Sequence, residues 1–164
     1  MKTISTLRLA IASVLALGVV NANAAGIPST VMNVTAAIVN SCVISAGSMD
    51  FGNYDPVDAN KAADNISGAA NITTACTLGS APKVTLLLNG AEADNTDRIL
   101  TSGVNVLSYG LYSDIARTTA WSATGVAVAA TGGNVVTPVY GRIPKDQNMP
   151  LGTYTEAVTV EVVF

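Results

Sequence analysis

The sequence predicts an all-β fold, an antiparallel β-sandwich of about eight strands. Its apolar residues come in short runs, many of them alternating with polar residues, as strands require. Clusters of Gly, Asn, Asp, Ser and Pro separate these runs, and no segment keeps a helical period. No repeat of roughly 20–50 residues is present, which argues against a solenoid or a propeller.

Residues 1–24 are expected to be a secretion signal. Lys2 and Arg8 form a short basic region, residues 9–20 are apolar and uncharged, and the small residues 22–24 suit a signal peptidase. This apolar run is shorter than the ~20 residues that span a bilayer. We expect cleavage after Ala24, or alternatively after Ala25, and no membrane insertion.

The remaining 140 residues are the size of one domain. Removal of Lys2 and Arg8 changes the net charge from −3 to −5, because six basic residues then face eleven acidic ones. This acidic balance argues against nucleic acid and anionic membrane surfaces as partners.

Cys42 and Cys76 are the only cysteines, and both follow the signal. In an oxidising compartment they are expected to form one disulfide. It would close a loop of about 35 residues, which the chain-entropy model values at roughly 3–4 kcal/mol. A zinc site would need carboxylates to complete it, since the chain has no histidine.

The sequence predicts neither an enzyme nor a cofactor. Without an imidazole base, Ser-His and Cys-His nucleophile systems are excluded. Carboxylate pairs and the acidic loop of residues 94–97 remain as alternatives, for glycoside hydrolysis and calcium binding. Asp and Asn in such positions are more often turn residues that bond their own backbone.

The first predicted strand covers residues 30–40. Because strand side chains alternate, Met32, Val34, Ala36 and Ile38 share one apolar face. The other predicted strands are residues 41–44, 49–54, 66–77, 83–88, 98–100, 105–112, 126–130, 135–142 and 153–164.

Three further expectations concern individual elements. Phe51 should lie in the core, and residues 57–65 should form a loop without a packing face. Pro138 should lie at a sheet edge or at a switch between sheets, because proline has no N–H to donate to a ladder.

The last predicted strand has an apolar face made by Tyr154, Val158, Val160, Val162 and Phe164. No later segment in the sequence covers it, and an uncovered apolar edge strand is an aggregation hazard. The spare alternating strand, residues 30–40, would pair with it in the same domain or in a neighbouring copy. Head-to-tail pairing that does not close into a ring gives a filament.

Several motifs in order carry a family resemblance. They are Asn40-Ser41-Cys42-Val43, Met49-Asp50-Phe51-Gly52-Asn53-Tyr54-Asp55-Pro56, Thr74-Ala75-Cys76-Thr77, Asp97-Arg98-Ile99-Leu100, Leu107-Ser108-Tyr109-Gly110-Leu111-Tyr112-Ser113-Asp114, Tyr140-Gly141-Arg142-Ile143-Pro144 and Gly152-Thr153-Tyr154-Thr155-Glu156 with its continuation to Phe164. This ordered set resembles the spore coat protein U family, the pilins of the archaic chaperone–usher pathway.

The resemblance implies an incomplete immunoglobulin-like sandwich that is completed by donor-strand exchange. A periplasmic chaperone would lend a strand during transit, and at an outer-membrane usher the next pilin subunit would replace it. The product would be a cell-surface pilus of a Gram-negative bacterium, active in adhesion or biofilm formation.

Under this interpretation residues 25–40 are the donor strand and residues 41–164 are the β-sandwich domain. The donor face is Met32, Val34, Ala36 and Ile38. The acceptor groove, which is also the chaperone contact, is lined by Tyr154, Val158, Val160, Val162 and Phe164.

Two alternatives stay open at this point. The chain could be a secreted single-domain adhesin, with Tyr109, Tyr112, Tyr140 and Trp121 as a carbohydrate-binding patch in place of core residues. It could also be a coat or matrix protein whose first strand completes its own sandwich.

Overall fold

The computed structural model describes residues 26–88, 91–92 and 95–164. The expected signal, residues 1–24, and Asp94 of the acidic loop lie outside the described residues. The chain divides into two compact units, residues 1–36 and residues 37–164.

The described part of the first unit, residues 26–36, belongs to no helix or strand. Its apolar side chains are exposed, with 82% of Met32 and 81% of Val34 accessible to solvent. Residues 37–41 of the second unit also form no strand. The strand predicted over residues 30–40 is therefore absent from the single chain. Because a strand satisfies its backbone groups only against a partner, its formation in an assembly stays a prediction.

The second unit is nearly all-β, and the predicted antiparallel sandwich is confirmed. Its described strands are β1 (Cys42–Ala46), β2 (Ala69–Cys76), β3 (Lys83–Leu88), β4 (Ala91–Glu92), β5 (Arg98–Ser102), β6 (Asn105–Tyr112), β7 (Val126–Ala127), β8 (Asn134–Arg142) and β9 (Val158–Val163). A single-turn helix, α1 (Ala59–Ala62), is the only helix among the described residues.

The strands form two sheets. The larger sheet has the order β1-β2-β8-β6-β5. In the smaller sheet β3 is central, and β9 pairs with it along its whole length, from Lys83 opposite Val163 to Leu88 opposite Val158. β4 and β7 pair with the two ends of β3 along its other edge.

The disulfide between Cys42 and Cys76 is confirmed. The two residues are direct partners in the antiparallel β1–β2 pair, so the bond joins neighbouring strands. β1 begins at Cys42, directly after residues 37–41. The disulfide therefore anchors the point at which these residues enter the sandwich.

Residues 49–54 are not a strand, contrary to prediction, because side chains take up the backbone groups that a ladder would use. Asp50 Oδ1 accepts a hydrogen bond from the N–H of Gly52 at 2.8 Å. Asn65 Nδ2 donates to the carbonyl oxygens of Phe51 and Asn53. Phe51 is partly buried and packs against the core, as expected.

Two more expectations are only partly confirmed. The segment predicted as a loop, residues 57–65, contains α1, which the absence of a helical pattern did not predict. Pro138 lies in β8, which is interior in the sheet order, but β6 pairs only with Tyr140, Gly141 and Arg142 of that strand. At Pro138 itself β8 has β2 as its only described neighbour, so the proline lies at a local edge.

Candidate functional site

An open apolar groove lies in the second unit between two walls, with a cavity volume of about 970 Å³. One wall is residues 46–56, which follow β1. The other is residues 149–156 with the first part of β9. The floor between them is the core of the sandwich.

The floor consists of inward-facing residues from both sheets. Alternation along the strands directs one set of side chains between the sheets. The floor residues from this set include Ile72, Leu86, Leu107, Leu111 and Val139. These five residues line the groove and are at most 5% exposed, so the floor is a packed core surface.

Phe51 is the main aromatic side chain of the first wall. A Cβ atom added to Gly68 or Gly141 would come within 2.4 Å of its ring, so the two glycines form a recess for the phenyl group. The Gly141 N–H donates to the Gly68 carbonyl at 2.8 Å, which places the glycines side by side. The ring also meets Tyr109 edge to face, with centroids 5.8 Å apart.

The second wall ends in a free strand edge. Among the described residues β9 pairs only with β3. The inward-facing Val158 and Val160 line the groove and are only partly buried, because no strand covers them on the groove side. Unpaired N–H and C=O groups along such an edge form a template for another strand.

The predicted groove residues divide into two sets. Tyr154, Val158 and Val160 line the cavity. Val162 packs against the core outside the cavity lining, and Phe164 is 60% exposed and does not line it.

A buried polar cluster lies beside the groove. The Arg98 side chain is fully buried, and its Nη2 atom is 2.6 Å from Glu156 Oε1. Arg98 Nε donates to the Tyr109 hydroxyl at 3.1 Å, and that hydroxyl donates to Glu156 Oε2. Arg98 also donates to Asn95 Oδ1 at 3.0 Å. We call Arg98, Tyr109 and Glu156 the arginine cluster.

The arginine cluster keeps Tyr109 protonated. Burial, and next the hydrogen bond to Glu156, raise the pKa of the Tyr109 hydroxyl well above its ordinary value. The positive charge of Arg98 opposes this shift but does not cancel it. The hydroxyl therefore remains a hydrogen-bond donor to the carboxylate at any physiological pH.

The predicted donor residues are exposed in the single chain. Met32 and Val34 belong to the first unit, and Ile38, 90% exposed, belongs to the second. Ala36, at the boundary, is also exposed. The apolar face predicted for these residues is therefore uncovered in the single chain.

The described residues give little support to a metal site or to a carbohydrate-binding patch. No three His, Cys, Asp or Glu side chains there are grouped so as to hold a metal ion. Asn95 of the acidic loop is buried, and its Nδ2 atom donates to the Trp121 carbonyl at 3.0 Å. Tyr109, Tyr112 and Trp121 of the predicted aromatic patch are at most 4% exposed, so these three are core residues on which sugar rings could not stack, whereas Tyr140 is partly buried.

The fold agrees with a comparison of the sequence with known families. A sequence profile of the Spore Coat Protein U domain matches residues 29–161. The chain belongs to the Spore Coat Protein U family. A curated relative, "Protein U" of Myxococcus xanthus, is 32% identical over 148 residues, which cover 81% of this chain and 83% of the relative. The family expected from the ordered motifs is thereby confirmed.

Membership in the Spore Coat Protein U family indicates a surface protein of the pilus or coat type. The family is structural and is not known for enzymes. No helix among the described residues is long and apolar enough to cross a membrane.

Sequence reasoning missed two parts of the site. Residues 49–54 of the first wall were expected to be a strand, and only the turn-forming side chains Asp50, Asp55 and Asn65 indicated otherwise. The arginine cluster was also missed, because Arg98 and Glu156 are far apart in sequence and nothing local connects them. The available signal was an arginine at the start of a short strand, directly before the apolar residues Ile99 and Leu100.

Proposed function

We propose that this chain is a structural subunit of a secreted surface fibre, assembled by the chaperone–usher pathway through donor-strand exchange. The observation that carries the proposal is the apolar groove of about 970 Å³ beside the free edge of β9. The groove accepts the apolar face of one extended segment, and the β9 edge pairs with its backbone.

The occupant is the segment of residues 30–40 from a second copy. Its alternating apolar side chains Met32, Val34, Ala36 and Ile38 suit a groove with an apolar floor. Full burial of one large side chain of this kind contributes about 1.5–3 kcal/mol. Three such side chains and a new ladder are enough to hold subunits together, with Ala36 meeting a shallow part of the groove.

Before assembly a periplasmic chaperone covers the same groove. An apolar groove and a free strand edge would otherwise pair with any available strand. An outer-membrane usher then exchanges the chaperone strand for the donor segment of the next subunit. Because each copy donates at one place and accepts at another, the contact is head-to-tail and produces a filament at the cell surface.

Deletion of residues 25–39, with the signal kept, tests this proposal. The shortened subunit should still reach the periplasm and bind its chaperone, since the groove and β9 are unchanged. It should not polymerise, which electron microscopy and denaturing gels of surface extracts would detect. Normal fibres from the deletion variant would contradict donor-strand exchange, and loss of folding in place of loss of assembly would indicate a self-completed coat protein.

A further inference from the structure

The arginine cluster connects segments from both sheets at the groove. Arg98 lies at the start of β5, and its guanidinium also contacts the carbonyl oxygens of Leu86 and Leu87 in β3 at 3.5 and 3.3 Å. Tyr109 belongs to β6, and Glu156 precedes β9. The Arg98 guanidinium therefore connects β3, β5 and β6 with the segment that leads into the free edge of β9.

Two members of the arginine cluster form part of the groove itself. Tyr109 and Glu156 line the cavity, whereas Arg98 lies behind them and does not. Among residues 149–156, Thr155 is the one that forms a described β-bridge, to Thr101 of β5, with backbone hydrogen bonds of 2.9 and 3.0 Å. The side chain of Glu156 is the additional link that fixes this wall before β9 begins.

Stability alone is a weak reason for such a cluster. Burial of an ion pair costs desolvation, and apolar residues of similar volume often stabilise a fold equally well. A charged, bidentate contact differs from apolar packing because it fixes both distance and direction. Among the described residues the wall has no neighbouring strand on its groove side to hold it in position. The ion pair can fix the position of this wall, which apolar packing of equal stability would not do.

We propose that Arg98 is a positioning residue of the groove, which holds Tyr109 and Glu156 in place so that a folded subunit takes up the donor segment of a second copy rapidly. This inference rests on the proposed function. The inference concerns the rate at which the groove accepts a strand. A wall that is already in position does not have to become ordered during docking, so docking should be faster.

Uptake can be followed with a fluorescent peptide of residues 29–40 and the mature chain, by the rise in fluorescence anisotropy. Every protein variant also carries Val34→Asp, so that the chain's own segment does not compete. Thermal unfolding of each variant is recorded in parallel, and rates are compared at a temperature where all variants are folded.

The chain offers a matched control outside the groove. Arg142 Nη2 donates to the Tyr112 hydroxyl at 2.6 Å, which is an arginine–tyrosine pair like that of Arg98 and Tyr109, but neither residue lines the cavity. We expect Tyr109→Phe to slow peptide uptake by about fivefold or more, since it removes hydrogen bonds to charged groups. We expect Tyr112→Phe to leave the rate unchanged. Equal rates in the two variants would overturn the inference.

An apolar replacement of the whole cluster separates positioning from stability. The variant Arg98→Met/Tyr109→Phe/Glu156→Leu leaves no buried charge, so we expect its unfolding temperature to approach that of the parent. Its peptide uptake should stay slow. Recovery of both stability and uptake would mean that the cluster only supports the fold, and would overturn the inference.

The experiment also separates the two proposals from each other. Failure of the parent protein, with an intact groove, to bind the peptide would contradict donor-strand exchange, and the role of Arg98 would fall with it. Rapid binding by the parent and by the apolar variant alike would contradict the role of Arg98 alone.

Discussion

Tyr109 is the residue whose chemistry the structure alters most clearly. Burial and the Glu156 carboxylate raise its pKa, so the folded state keeps the proton at a pH where the unfolded chain loses it. The stability that this shift contributes is fully present below the unfolded pKa of about 10 and is lost as the pH rises towards the folded value. Above about pH 10 the free energy of unfolding should therefore decrease with pH.

The prediction for Tyr109 is spectroscopic. After a rapid jump to about pH 11 the native wild-type chain and Tyr109→Phe should show the same tyrosinate absorbance, because Tyr109 does not ionise. After unfolding, the wild type should exceed the variant by one tyrosine. A native wild type that already exceeds the variant by one tyrosine would show that Tyr109 titrates normally.

Val34 is the residue that tests the donor face. In the single chain it is 81% exposed, so Val34→Asp should change the free energy of subunit unfolding by no more than about 0.5 kcal/mol. In a fibre the new carboxylate would be buried without a partner, which costs several kcal/mol at each joint. The amount of denaturant-resistant polymer measures this loss, and Val34→Asp alone should give none.

The control for Val34→Asp is Thr35→Asp, which places the same charge on the opposite face of the predicted strand. Fibres of Thr35→Asp should resist denaturant as well as the wild type. If both variants assemble equally well, Val34 is not a donor residue.

At the scale of the element, β9 presents two different faces. Val160 lines the groove, whereas Val163, of opposite parity, is 41% exposed. Val160→Asp should block strand uptake, and Val163→Asp should not. Peptide-binding rates measure both, with circular dichroism to establish that each variant is folded. Greater inhibition by Val163→Asp would mean that the strand docks on the other face.

The elements also show what local sequence can predict. Strands with partners on well-defined faces, such as β3 and β6, were predicted with their full bounds, because alternation directly reflects burial. Residues 49–54 carry the same alternation, but long-range hydrogen bonds from Asn65 hold them in irregular structure. Residues 30–40 also alternate, but in the single chain they form no strand.

How much of the site could be predicted depends on how far apart its residues are in the sequence. The cysteine pairing follows from composition, and the apolar face that includes Tyr154, Val158 and Val160 follows from periodicity. That this face lines a groove was implied by the family resemblance. The ion pair between Arg98 and Glu156 joins residues that are 58 apart in sequence, and the other wall depends on hydrogen bonds from Asn65 to acceptors that are 12 and 14 residues away. No local pattern specifies such contacts, and only the fold brings them together.

At the scale of the whole molecule, the proposed strand exchange makes one copy both an acceptor, through the groove, and a donor, through residues 30–40. A subunit with a damaged donor face can still accept, and a subunit with a damaged groove can still donate. Val34→Asp supplies the first kind of copy and Val160→Asp the second. Neither should assemble alone, because each lacks one half of the joint.

The most direct test is to mix these two proteins and measure the masses of the products by native mass spectrometry. Head-to-tail strand exchange predicts monomers in each separate sample and a dimer of one copy of each in the mixture, with no larger species. Monomers alone in the mixture, or polymers in either separate sample, would contradict donor-strand exchange between copies of this chain.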